Sequence, residues 1–143
     1  MGIRIRIGWA VLLLALGLNG HAAAQEVVAI VSAKSPYVNL TSAQVADIFL
    51  GRTSRFPDGA LAVPIDQPED SALRDRFYAQ FTGKSAAQVK AHWSKIIFTG
   101  RGQPPRVASS GAETKRIVAE NPYAIGYVDS RLVDDSVRVV PRR

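Results

Sequence analysis

The sequence predicts an α/β fold, in which helices cover a sheet, because strand patterns and helix patterns alternate along the chain. Short runs rich in β-branched residues indicate strands at 27–31, 61–65, 124–128 and 137–140. Between them, N-cap residues followed by apolar residues at helical spacing indicate four helices. The predicted order is β-α-β-α-α-α-β-β, and residues 106–108 allow one more short strand.

The first helix follows strand 27–31 and begins with a capping box, in which Thr41 is the N-cap and Gln44 is N3. Leu40 and Val45 have the spacing of a hydrophobic staple. Gly51 is expected to end the helix in the left-handed conformation. The apolar face of this helix contains Val45, Ile48 and Phe49.

The second strand and second helix are joined by an acidic loop. Pro64 cannot donate a hydrogen bond to a neighbouring strand, so it is expected at a sheet edge or near the end of strand 61–65. The helix is predicted to begin near Ser71 and to end at Gly83. Its inner face contains residues spaced by four, namely Leu73, Phe77 and Phe81.

The third and fourth helices also begin with capping-box patterns, Ser85 with Gln88 and Ser110 with Glu113. The glycines and prolines of residues 100–105 predict a loop between them. The expected inner faces contain aromatic and aliphatic residues, which at this spacing indicate a core rather than a ligand site. They are Val89, Trp93, Ile96 and Ile97 in the third helix, and Ile117 and Val118 in the fourth.

Residues 1–24 have the layout of a secretory signal peptide. Arg4 and Arg6 form a positive n-region, Trp9–Leu18 is an apolar run, and Ala22–Ala24 supplies small residues before a cleavage site. The apolar run is about half of the ~20 residues that span a bilayer, and an uncleaved anchor is the alternative. We therefore predict a periplasmic protein, Gln25–Arg143, with one domain and no membrane-spanning segment after cleavage.

Composition restricts the possible partners. The chain has no cysteine, which excludes disulfides, a thiolate metal site and a lipid-modified cysteine. The formal net charge of +6 favours anionic partners, although a solvated basic surface is the simpler interpretation. Gly100–Gly102 could present backbone N–H groups to an anion, or could be a flexible turn. Export argues against a nucleic-acid partner.

The sequence offers little material for catalysis. His92 lies beside Trp93 on a helix whose buried face is already assigned, so a structural or surface role is expected. With one histidine after the leader and no cysteine, a nucleophile–base pair has few candidates. Asp66, Glu69 and Asp70 could bind a cation, but their loop lacks the alternation and the glycine of a calcium loop. We predict no enzyme activity, no metal and no cofactor.

Two predicted helix N-termini are the best candidates for binding a small anion. Ser109, Ser110 and Gly111 open the fourth helix with hydroxyl groups and free N–H groups at the positive end of its dipole. Ser71 does the same at the second helix, where Arg74 could supply a counter-charge. Serine and glycine at N-caps also occur without any ligand, and that alternative remains open.

Two segments resemble phosphate-type substrate-binding proteins of ABC importers. Leu40–Val45, followed by Ile48–Arg52, is similar to their "L-[ST]-x-x-x-[LV]-x-x-I-F-L-G-[KR]" stretch. Ala124–Val128, preceded by Asn121-Pro122, is similar to their "T-P-G-A-I-G-Y-V" segment. The order and spacing agree over roughly residues 27–130. The resemblance implies a single lobe of a periplasmic-binding-protein-like (type 2) fold, with a mixed sheet flanked by helices.

The resemblance implies binding of phosphate or another small oxyanion and work with an ABC permease or another envelope protein. The family has two lobes, and the matched part is similar to the second. The family's phosphate loop, of the type "R-S-D-G-S-G-T", corresponds to residues 66–72, where the arginine is replaced by Asp66 and the glycines are absent. An interaction or sensory module that has lost the phosphate site is therefore the second hypothesis. A hydrolase ranks third.

Overall fold

The computed structural model describes residues 26–143; the predicted signal peptide, residues 1–24, lies outside them. The strands of the described part are Val27–Ser32 (β1), Val63–Asp66 (β2), Arg106–Val107 (β3), Ala124–Asp129 (β4) and Val137–Val140 (β5). The α-helices are Ser42–Phe49 (α1), Ala72–Thr82 (α2), Ala86–Phe98 (α3) and Gly111–Glu120 (α4). A 3₁₀ turn, Ser130–Leu132, follows β4. Within residues 26–143 we find no helix with the length and apolar character to cross a membrane.

The five strands form one mixed sheet in the order β3-β2-β4-β1-β5. Strand β2 runs parallel to both β3 and β4, whereas β1 runs antiparallel to β4 and β5. The extra short strand allowed at 106–108 is present as β3. The predicted α/β architecture, a mixed sheet flanked by helices, is confirmed.

Helices cover both faces of the sheet, so its central strands are buried on both sides. Alternate residues of β1 enter two separate clusters: Val27, Ala29 and Val31 contact the side of α1, α2 and α3, whereas Ile30 contacts the side of α4. The first cluster is rich in aromatic rings, and the Phe77 ring stacks on that of Tyr127 with 4.0 Å between centroids.

The helix ends follow the local sequence closely. The capping boxes predicted for α1 and α3 are both complete. Gly51 and Gly83 both have left-handed backbones, with φ of +68° and +69°. At Gly51 the chain also approaches the core: a Cβ added there would lie 2.6 Å from Cη2 of Trp93. A glycine is therefore required at Gly51 for two separate reasons.

Two expectations are wrong, one about where a strand begins and one about a buried helix face. Strand β2 begins at Val63, and Leu61 lies before it, 57% exposed, in an isolated bridge to Arg55. The loop folds back there, with Ala62 donating its N–H to the Ser54 carbonyl, so Leu61 cannot join the sheet. The sequence predicts Ile97 on the inner face of α3, but it is 53% exposed, whereas Ile96 packs against the core.

Candidate functional site

A cleft of about 600 Å³ lies at the carboxyl ends of the parallel strands. Ligands of open α/β sheets usually bind at this edge, because the helices that follow the strands present their N-termini there. Helix α2 begins after the N-cap Ser71, and α4 begins at Gly111. The cleft is lined by Gln67, Ser71, Ala72, Leu73, Gly111, Asp129, Arg131 and Leu132. The structure therefore brings two of the predicted site residues, Ser71 and Gly111, to one cleft.

Behind the cleft, the last residue of β2 holds a buried polar network. Asp66 is 3% exposed, and its carboxylate accepts hydrogen bonds from the hydroxyl groups of Tyr78 (2.7 Å) and Tyr127. The backbone N–H of Gln67 adds a third bond, 2.8 Å long. The sequence grouped Asp66 with Glu69 and Asp70 in one acidic loop, but only Asp66 is buried.

Arg74 belongs to this network and does not line the cleft. It is 8% exposed, its Nε lies 3.3 Å from a carboxylate oxygen of Asp66, and its guanidinium lies over the Tyr78 ring. Burial lowers the pKa of Arg74, but the charge of Asp66 and the two tyrosines outweigh burial and raise it. The positive charge that we expected to face a ligand is thus matched by an internal carboxylate.

Gln67 connects the buried network to the cleft. Its side-chain amide donates to the Tyr127 carbonyl (2.8 Å), and its side-chain oxygen accepts from the hydroxyl of Ser71 at 3.4 Å. The same Ser71 oxygen accepts the N–H of Arg74 as the N-cap of α2. Ser71 is therefore held in position by bonds on both sides, at the wall of the cleft.

At the second helix N-terminus, an internal carboxylate occupies donors that an anion would use. Ser110 caps α4 by accepting the N–H of Glu113, but the Glu113 carboxylate reaches back to Ser109 and not to the N-cap. It accepts both the N–H of Ser109 (2.7 Å) and its hydroxyl, and these bonds lower the pKa of Glu113. The capping box expected here is only half formed.

A charged pair that lines the cleft was not among the predicted site residues. Asp129 ends β4, and its carboxylate oxygens lie 3.0 and 2.6 Å from Nε and Nη2 of Arg131. Those hydrogen bonds lower the pKa of Asp129 to about 2. The position of Asp129 directly after a buried strand was the available signal. The Arg131 side chain is 73% exposed and is the one cation among the described residues that line this cleft.

His92 makes a structural contact between two helices. Nε2 of His92 lies 2.7 Å from the carbonyl oxygen of Leu50, which ties α3 to the end of α1. In the part of the chain that the structure describes, no three histidine, aspartate or glutamate side chains gather into a group that could hold a metal ion.

The tyrosines of the network predict a loss of stability at alkaline pH. Burial first, and then the Asp66 charge, raise the pKa of Tyr78 and of Tyr127 above the ordinary 10. The unfolded chain loses these protons above pH 10 while the folded chain keeps them, so the free energy of unfolding falls as pH rises. In urea unfolding across the alkaline range, Tyr127→Phe should make this fall shallower by about 1.4 kcal/mol per pH unit. An unchanged slope would contradict the assignment.

A scan against models of protein families finds no match, and a search of curated proteins also finds none. Several solved structures have a fold similar to that of this chain. One is described as a phosphate ABC transporter substrate-binding protein with bound phosphate, from Clostridium perfringens, with a TM-score of 0.66 and 23% identity. Others are an ABC-type phosphate transport receptor from Vibrio cholerae (0.65, 19%) and PstS from Borrelia burgdorferi (0.61, 16%).

These matches cover 82–83% of this chain but only 45–47% of the matched chains. The chain therefore spans less than half the length of these structures. At this identity the likeness is one of fold, and it confirms the predicted fold class, a mixed sheet flanked by helices that matches part of the periplasmic-binding-protein-like architecture. The first two of these structures are described as a substrate-binding protein and a transport receptor, and not as enzymes.

Proposed function

We propose that this chain is an exported, single-lobe solute-binding protein whose cleft receives phosphate or another small oxyanion. The observation that carries this proposal is the convergence of two helix N-termini, at Ser71 and Gly111, on one cleft at the carboxyl edge of the parallel strands. The fold likeness to phosphate transport receptors supports the same ligand class. Residues 1–24 act in this proposal as a signal peptide, and an ABC permease or another periplasmic protein receives the bound form.

In this proposal Ser71 and Gly111 contact the oxyanion directly, through a hydroxyl group and through backbone N–H groups. Ser109 and Ser110 contribute at the start of α4, where the ligand competes with the carboxylate of Glu113. Arg131 supplies the counter-charge at the cleft. Arg74 acts from behind, by holding Asp66 and α2 in place.

A second candidate function, an interaction or sensory module without a phosphate site, is favoured by one specific observation. Three internal carboxylates already bind the groups that an oxyanion would need: Asp66 pairs with Arg74, Glu113 accepts from Ser109, and Asp129 pairs with Arg131. A bound oxyanion would have to displace one of these carboxylates or lie close to its negative charge. In this case the lobe contacts another protein instead.

A thermal unfolding experiment separates the two candidates. Ligand at about a hundredfold over its Kd adds about 2.7 kcal/mol, which for a domain of this size raises Tm by roughly 10 °C. We expect millimolar phosphate or sulfate to raise the Tm of the protein, and we expect Arg131→Gln to abolish that rise. Glu113→Gln should enlarge it, because it removes the competing charge.

Arg116→Gln on the outer surface of α4 is the control with the same change of charge. If no oxyanion moves the Tm of either the parent protein or Glu113→Gln, the solute-binding proposal is overturned. The interaction module then becomes the preferred function.

A further inference from the structure

A second concave surface lies beside the start of β2, away from the cleft. It consists of two adjoining cavities, of about 470 and 260 Å³, between the loop 51–55 and the loop 101–106. Both are lined by Trp93 and Gln103, and neither shares a lining residue with the cleft. We call this surface the arginine groove.

The charged residues that line the arginine groove are all positive. Its lining residues include four arginines and no aspartate or glutamate: Arg52, Arg55, Arg101 and Arg106. Arg52 lies 3.3 Å from Asp47, which sits outside the groove, and Arg55 donates to the Gly59 carbonyl. Arg101 forms no ion pair with any of the residues 26–143. Arg106 also interacts electrostatically with Glu113, which lies outside the groove. Among the described residues, no carboxylate lines the groove itself.

Apolar surface adjoins these charges. The groove wall is formed by Trp93, whose Nε1 is buried and has no hydrogen-bond acceptor within the described part of the chain. Ile97 and Phe98, immediately before the loop that carries Arg101, are 53% and 93% exposed. Exposed apolar side chains next to a rim of charge are typical of surfaces that bind other proteins.

We propose that the arginine groove binds an extended acidic segment of a partner protein, with an apolar side chain of that segment covering Phe98. Guanidinium groups match carboxylates with paired hydrogen bonds, and several such contacts along a groove add up for a peptide. Ile97 and Phe98 do not line the groove itself, but they precede Arg101 by four and three residues. An extended peptide is long enough to contact both the arginines and these exposed side chains, whereas a free oxyanion is not.

The test uses the full chain with Trp9→Phe, which leaves Trp93 as the single tryptophan. A synthetic peptide rich in glutamate, with one leucine, is titrated while Trp93 fluorescence and binding heat are measured. We expect saturable binding that weakens with added salt. Arg101→Gln and Arg106→Gln should each weaken it by about tenfold, the loss of one charge-assisted hydrogen bond. Phe98→Ser should weaken it as well.

Arg116→Gln, on α4 and outside the groove, should leave peptide binding unchanged. Equal weakening by Arg116→Gln and Arg101→Gln would overturn the proposal, because it would show attraction by net charge only. The proposal would also be overturned, in favour of a small-anion site, by two results together. Inorganic phosphate at the same total charge concentration would displace the peptide, and Phe98→Ser would leave peptide binding unchanged. None of these variants touches the cleft, so either proposal can fail alone.

Discussion

Replacing Asp66 by asparagine is expected to lower the free energy of unfolding by about 3–5 kcal/mol. The substitution keeps the size of the side chain but removes the charge that matches the buried guanidinium of Arg74. It also places an amide donor where the hydroxyl groups of Tyr78 and Tyr127 already donate. An unpaired buried charge and crowded donors both disfavour the folded state. Urea unfolding at neutral pH measures the loss.

Two further variants test the cause of this loss. Asp134→Asn breaks an exposed pair with Lys115 and should cost no more than about 1 kcal/mol. The double variant Asp66→Asn/Arg74→Met removes both buried charges and should be more stable than Asp66→Asn alone. If Asp66→Asn costs no more than Asp134→Asn, the buried network does not stabilise the fold.

Gly51→Ala is expected to cost about 3 kcal/mol, through two separate effects. The left-handed backbone costs an L-residue about 1–2 kcal/mol. The new methyl group would also lie 2.6 Å from the Trp93 ring, and overpacking of this kind costs about 1–3 kcal/mol. Equilibrium unfolding of the variant and the parent protein gives the difference in free energy.

Gly83→Ala is the matched control, because Gly83 has the same φ but nothing within 4 Å of an added Cβ. It should show the backbone effect alone, about 1–2 kcal/mol. Equal losses in the two variants would mean that the Trp93 ring moves aside freely, and that this contact does not hold α1 against α3.

Helix starts were predictable because their signals are local. The capping boxes at Thr41 and Ser85 join residues three apart, so the sequence contains both partners. The same local logic placed Ser71 and Gly111 at helix N-termini. It failed at α4, because the Glu113 side chain had a second donor in reach, Ser109, and the pattern could not decide between them.

The cleft and its charges were only partly predictable. Ser71 and Gly111 were identified from helix starts, but their joint position depends on β2 and β3, the strands that precede α2 and α4, being neighbours in the sheet. The burial of Asp66 depends on Tyr127, 61 residues away in sequence. No pattern within one segment indicates that a loop carboxylate and a distant tyrosine will share a buried site.

Alternating strand and helix patterns, the caps and the absence of cysteine were sufficient to establish an α/β domain held together by packing, because these features depend on neighbours along the chain. The strand order, the pairing of Arg74 with Asp66 and the gathering of four arginines in one groove required the folded chain. Electrostatic interactions depend on distance in space and on exclusion of water. The sequence contains the charges, and only the tertiary structure decides which of them are paired inside the protein and which stay exposed at its surface.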